Sequence, residues 1–160
     1  MATIYHPPSS LEAVPAHATS LFLAGSIEMG RAVDWQAQVC EAFQALSELV
    51  IFNPRRPDWD SSWSQQADFA PFREQVTWEL DALERATCVL MYLAPGTQSP
   101  ISLLELGLFV RQGKLIVACP DGFWRQGNVE IVCARYGARF VTSLDEGIKQ
   151  ARLACEARLG

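Results

Sequence analysis

Glu105 is the one acid in the stretch SPISLLELGLF at residues 99–109, and its neighbours are apolar or small. A carboxylate in such surroundings is expected to be at least partly buried, and it falls at the mouth of a central strand, where sites occur. The plainer alternatives are an acid favoured by the dipole of its helix N-terminus, or one paired with Arg111. Glu79 and Asp81 form a second group in QVTWELDALERA, on the segment that runs through TCVLMYLAP toward Glu105. They read either as a second acid reaching the same cleft or as a solvated helix face shared with Glu74, Glu84 and Arg85. A third group is the loop NPRRPDWDSSW, where Trp59 and Trp63 stand among Asp58, Asp60 and serines. Such a surface can stack a planar heterocycle and hydrogen-bond its edge, or it can pin the loop to the domain or to a partner subunit.

AGSIEMG offers Gly25 and Gly30, which let backbone approach a ligand, with Ser26 beside them; Ser99 and Ser102 line the approach to Glu105. Neither GxGxxG nor GxxxxGK[ST] occurs, so the dinucleotide and phosphate-loop fingerprints are absent. His6 and His17 have no partner at metal-ligand spacing, and no metal or cofactor is expected.

These residues need elements to hold them. SLFLAG, LVIFNP, CVLMYLA, LIVACP and ARFVT are short, nearly continuous apolar runs ending in Gly, Pro or a polar residue, as parallel strands buried on both faces do. Helical patterns fall between and after them, at residues 31–47, 70–86, 101–112, 129–136 and 143–157. Ser143 with Glu146 makes a capping box for the last helix, and RQGK ends the third at a glycine. The alternation predicts a three-layer α/β domain with a five-stranded parallel sheet, flavodoxin-like or Rossmann-like. In such sheets ligands bind outside the carboxyl ends of the strands, and the loops named above are the ones found there.

The chain has 160 residues, enough for one domain: an irregular arm rich in Pro, Ser and Ala at 1–19, then a single domain at 20–160. The net charge of −5 argues against binding to a nucleic-acid backbone and favours a small-molecule substrate. No apolar run approaches the ~20 residues that span a bilayer, so no membrane partner is expected. Cys40, Cys88, Cys119, Cys133 and Cys155 are an odd number without a CxxC pair and read as buried free thiols, which points to a cytoplasmic location.

FLAGSI, NPRRPDW, WELDALERA running into CVLMYLAP, and LLELGLFVRQGK together resemble the nucleoside 2-deoxyribosyltransferase family and the related deoxynucleoside 5′-monophosphate N-glycosidases. The resemblance spans residues 21–140, and its most specific part is E-L-G at Glu105–Gly107, followed by Gly113 and Lys114. It implies that Glu105 is the nucleophile, and that Glu79 stands where the family carries an aspartate. It also places Asn128 as a residue that a neighbouring subunit contributes to the 5′-hydroxyl of the sugar, hence a homo-oligomer with shared active sites. Two departures stand out: Ser99 replaces the acid six residues before the nucleophile, and Leu21 and Phe22 occupy the stretch where the family has a tyrosine.

The implied reaction breaks the N-glycosidic bond of a 2′-deoxynucleoside through an oxocarbenium-like state and a glutamyl-sugar intermediate, then transfers deoxyribose to another nucleobase. A second acid, Glu79 or one of Asp58 and Asp60, protonates or orients the base, and Trp59 or Trp63 stacks on it. The alternatives are hydrolysis of a 5′-monophosphate ringed by Ser26, Ser99 and Ser102, or a nucleotide-binding sensor without turnover.

Overall fold

A computed structural model of the chain describes residues 1–28 and 32–160. Gly30 and the start of the first expected helix lie outside them. The strands are β1 (Thr3–Tyr5), β2 (Ser20–Gly25), β3 (Val50–Phe52), β4 (Cys88–Tyr92), β5 (Leu115–Ala118) and β6 (Arg139–Val141). The helices are α1 (Trp35–Phe43), α2 (Ala70–Arg85), α3 (Pro100–Phe109), α4 (Gln126–Tyr136) and α5 (Leu144–Leu159). Every strand pairing is parallel, in the order β1-β3-β2-β4-β5-β6.

Without β1, this order is the flavodoxin-like one, and its switch point falls between β2 and β4. The expectation of five strands is corrected to six. The extra strand comes from the arm, where Thr3–Tyr5 pairs with Val50–Phe52 at the sheet edge. Three residues followed by two prolines carry too little pattern to announce a strand; the exposed edge of β3 supplies the hydrogen bonds that make one. The rest of the arm is tied to α2. Trp78 Nε1 donates to the Ser9 carbonyl at 2.9 Å, and the Arg85 guanidinium donates to the carbonyls of Leu11 at 2.7 Å and Val14 at 3.2 Å.

Alternation within β2 explains its unbroken apolar run. Phe22 and Ala24 pack into the layer of α2, α3 and α4, while Leu21 and Leu23 pack against α1 and α5. The five cysteines are free thiols, four of them buried. Ser143 accepts from the Glu146 N–H at 3.1 Å, and Gly113, at φ 70°, closes the turn after α3, both as the sequence predicts. α3 itself departs from expectation. Its neighbours suggest a helix packed on most sides, yet Ile101, Leu104 and Leu108 are 58%, 61% and 55% exposed, while Leu106 and Phe109 are buried. One face meets the core and the other is an apolar surface. Among the described residues no helix is long and apolar enough to cross a membrane.

Candidate active site

Two loops meet at the switch point. Gly25 ends β2 at φ 134°, and a Cβ there would lie 2.1 Å from the Tyr92 carbonyl oxygen, so the close approach that this glycine permits is to β4. The Ser26 N–H donates to that carbonyl at 2.9 Å. Ser26 Oγ in turn accepts from the Ala94 N–H at 2.9 Å and bonds Thr97 Oγ1 at 2.9 Å and Ser99 Oγ at 2.6 Å, and Thr97 and Ser99 join at 3.0 Å. Thr97 Oγ1 also donates to the Ala94 carbonyl at 2.8 Å, and this triangle of hydroxyls staples the loop after β2 to the loop that opens α3.

Glu105 lies on the buried face of α3 with Ser102, and it is 8% exposed. Neither side chain has a hydrogen bond among the described residues. Arg111 is not its partner; that guanidinium stacks 4.6 Å from the Tyr136 ring centroid. Burial pushes the Glu105 carboxyl up to about 8, and the neighbouring charge of Glu79 pushes the same way. Glu79, on α2, keeps some contact with solvent, but desolvation raises it to about 7 against a hydrogen bond from Gln75 that favours the ionised form. With both acids desolvated and repelling each other, the ionisation of one disfavours that of the other, and both titrate near neutral pH.

Local structure sets the height of Glu79. Gln75 Nε2 donates to Glu79 Oε1 at 2.9 Å and to the Pro54 carbonyl at 3.0 Å, which ties the side chain to the loop after β3. At the other end of α2, Lys114 Nζ donates to the carbonyls of Leu83, Glu84 and Ala86 and fixes the helix terminus against β5. The Gly113–Lys114 pair of the sequence pattern therefore serves the acid on α2 as well as the end of α3.

The loop at 53–69 is built differently. Trp59 and Trp63 meet edge to face at 5.0 Å, and the Arg56 guanidinium lies 5.4 Å from the Trp63 ring centroid. Asp58 is exposed and paired with Arg56 at 2.8 Å, which holds its carboxyl below the usual range. Asp60 is exposed and accepts from the Ser62 hydroxyl and N–H at 2.6 and 2.9 Å, and it too is lowered. Both stay ionised at neutral pH and have no proton to give. Asp81 is exposed and lines a groove of about 670 Å³ between the arm and α2, which includes neither Glu79 nor Glu105. Asn128 is exposed in the first turns of α4, beside Trp124 and across from Leu103 and Gly107.

A family model described as nucleoside 2-deoxyribosyltransferase like matches residues 18–123, from just before β2 to the loop after β5. The chain belongs to the nucleoside 2-deoxyribosyltransferase-like family. No curated protein matches it significantly. The matched span holds Glu79, Glu105 and the hydroxyl triangle and stops short of Asn128.

Within this deoxyribosyltransferase-like frame the structure adds residues that the sequence did not mark. Gln75 positions Glu79, and nothing but its place one turn earlier on α2 signals it. Gln36 is fully buried; its Oε1 accepts from Arg55 at 3.4 Å while its Nε2 has no partner among the described residues. Trp124 Nε1 donates to the Gln98 carbonyl at 2.9 Å and so braces the loop before α3 from the loop after β5. Glu28, in the loop after β2, accepts through one oxygen from the N–H of Gln98 at 3.1 Å and of Ser99 at 2.9 Å. Only the fold brings these loops together, so none of these contacts has a spacing signature.

Proposed function

We propose that this protein cleaves the N-glycosidic bond of 2′-deoxynucleosides and transfers the deoxyribose to another nucleobase, with Glu105 as the nucleophile. The observation that carries this reading is Glu105 itself, a buried acid with no hydrogen-bond partner among the described residues, at the carboxyl end of the sheet and beside the charge of a second, partly buried acid, Glu79. A structural acid would be paired or solvated.

The step balances as follows. The Glu105 carboxylate bonds to C1′ as the C1′–N bond breaks, and the bonding pair leaves on the base nitrogen, which takes the proton from Glu79. A second base then attacks C1′, expels Glu105 as carboxylate and returns its proton to Glu79, so configuration is retained. With one proton shared between the two acids, the productive form has the charge on Glu105. The Gln75 hydrogen bond favours charge on Glu79 in the empty site; developing positive charge on the sugar reverses that preference in the transition state.

The exposed apolar face of α3, with Trp124 beside it at 54% exposure, supports association with a second copy that brings Asn128 to the neighbour's sugar. Leu104→Asp should dissociate the assembly and abolish exchange, read by light scattering and assay; a strictly monomeric and active parent protein would remove Asn128 from the site. The reaction itself is tested by incubation with a deoxynucleoside and a second base. New nucleoside supports transfer, free base alone means hydrolysis, and binding without either product means a sensor.

A further inference from the structure

We propose that Glu28 is a specificity-determining residue whose carboxylate accepts a hydrogen bond from the 5′-hydroxyl of an unphosphorylated deoxynucleoside and turns away a 5′-phosphate. The inference rests on the deoxynucleoside reading above and names the form of substrate that site takes.

The N–H groups that open α3 are where an anion would be expected to sit. In this chain a carboxylate stands beside that place: Glu28 Oε1 accepts from the N–H groups of Gln98 and Ser99, which immediately precede α3, at 3.1 and 2.9 Å. Thr97 donates its hydroxyl to the Ala94 carbonyl at 2.8 Å, and Ser26 and Ser99 bond each other and Thr97, so these three have no hydroxyl hydrogen left for a phosphate and Ser102 alone keeps one. Glu28 Oε2 has no partner among the described residues and keeps its capacity to accept.

The placement suits a pentose. From Ser99 to Glu105 is six residues, about 9 Å along a helix axis, and the Glu105 side chain leans back toward the N-terminus and shortens the gap. An unpartnered, 8% exposed carboxylate thus stands at one end for C1′, and the free oxygen of Glu28 stands at the other. A 5′-hydroxyl between them can donate to Glu28 and still accept from the amide of a neighbour's Asn128. A phosphate has only acceptor oxygens and negative charge to offer that carboxylate. Backbone strain points to the same contact. Glu28 and Ser99 are the non-glycine residues with positive φ among the described residues, both at 48°, and they are bonded to each other.

Glu28→Gln keeps an oxygen for the two N–H groups and removes the charge. The parent protein should prefer a deoxynucleoside to its 5′-monophosphate by about 100-fold in kcat/KM, and Glu28→Gln should narrow this to about tenfold or less. Most of the change should come from a lower KM for the monophosphate. If Glu28→Gln does not fold, Glu28→Ala should show the same narrowing. Calorimetric titration of Glu105→Ala protein with both compounds, with and without the Glu28 change, reads binding apart from turnover. A parent protein that turns over neither compound, together with a binding preference that depends on Glu28, would sink the transfer reading and uphold Glu28. Equal ratios with and without the Glu28 change, or a parent that prefers the monophosphate, overturn Glu28 alone. Failure of both compounds to bind overturns both.

Discussion

Asp58 and Asp60 stand beside a tryptophan in an exposed loop, each with hydrogen-bonding partners and each held more acidic than an ordinary aspartate. Glu79 and Glu105 stand on different helices, Glu105 buried without a hydrogen-bond partner among the described residues and Glu79 partly buried with Gln75 as its donor, and both are held less acidic than an ordinary glutamate. The side chains are chemically near-identical, and only surroundings separate them. An acid that is satisfied in the folded state is committed to being an anion. One that is buried and unsatisfied keeps a proton to exchange and a carboxylate able to bond carbon.

The sharpest way to break this contrast is Glu105→Gln. We expect base exchange to fall by on the order of 10⁴-fold or more with the fold intact; exchange at the parent rate would remove Glu105 as nucleophile. The same variant carries a stability test. The folded pKa values of Glu79 and Glu105 are raised from 4.5 to about 7 and about 8, so the native state holds protons that the unfolded state has lost. Their contribution is complete below the unfolded value near 4.5 and is lost as pH rises through the folded values. Parent protein should therefore lose melting temperature between about pH 5 and 9, and Glu105→Gln should flatten that loss. An unchanged slope would mean the pair is not buried as an ionising unit.

Glu79→Gln should lower kcat by about 100-fold, within the range of general acid catalysis, and remove the alkaline limb of a pH–rate profile that in the parent is highest between the two titrations. A retained alkaline limb assigns the proton elsewhere. Trp59→Ala should raise KM by about tenfold with a smaller change in kcat, as loss of uniform binding does. An unchanged KM takes Trp59 out of the base pocket and leaves the Trp59–Trp63 contact as loop packing. The smallest effect is expected from Asp60→Asn, under about threefold and confined to KM. A change as large as that of Glu79→Gln would mean that the exposed loop closes over the site and would dissolve the contrast.

Much of this arrangement was legible in the chain. The apolar runs announced the parallel strands because each is buried on both faces, and E-L-G followed by Gly113–Lys114 announced the family. β1 was not legible, since a three-residue edge strand takes its order from a neighbour and not from its own pattern. Nor was the exposed face of α3, because an unbroken apolar sequence looks the same whether the second face meets its own core or a second chain.

What the sequence determined by itself is which residues lie at the carboxyl ends of the strands, since run length, turn residues and the strand–helix alternation are local properties of the chain. The tertiary structure decided which of those residues are chemically different from their reference values. Desolvation of Glu105, its repulsion from Glu79, the tie of Gln75 to the Pro54 carbonyl, and the seating of Glu28 beside the start of α3 all depend on distances between segments remote in sequence. Electrostatic interactions and hydrogen bonds act through those distances, and the distances exist only once the loops have met.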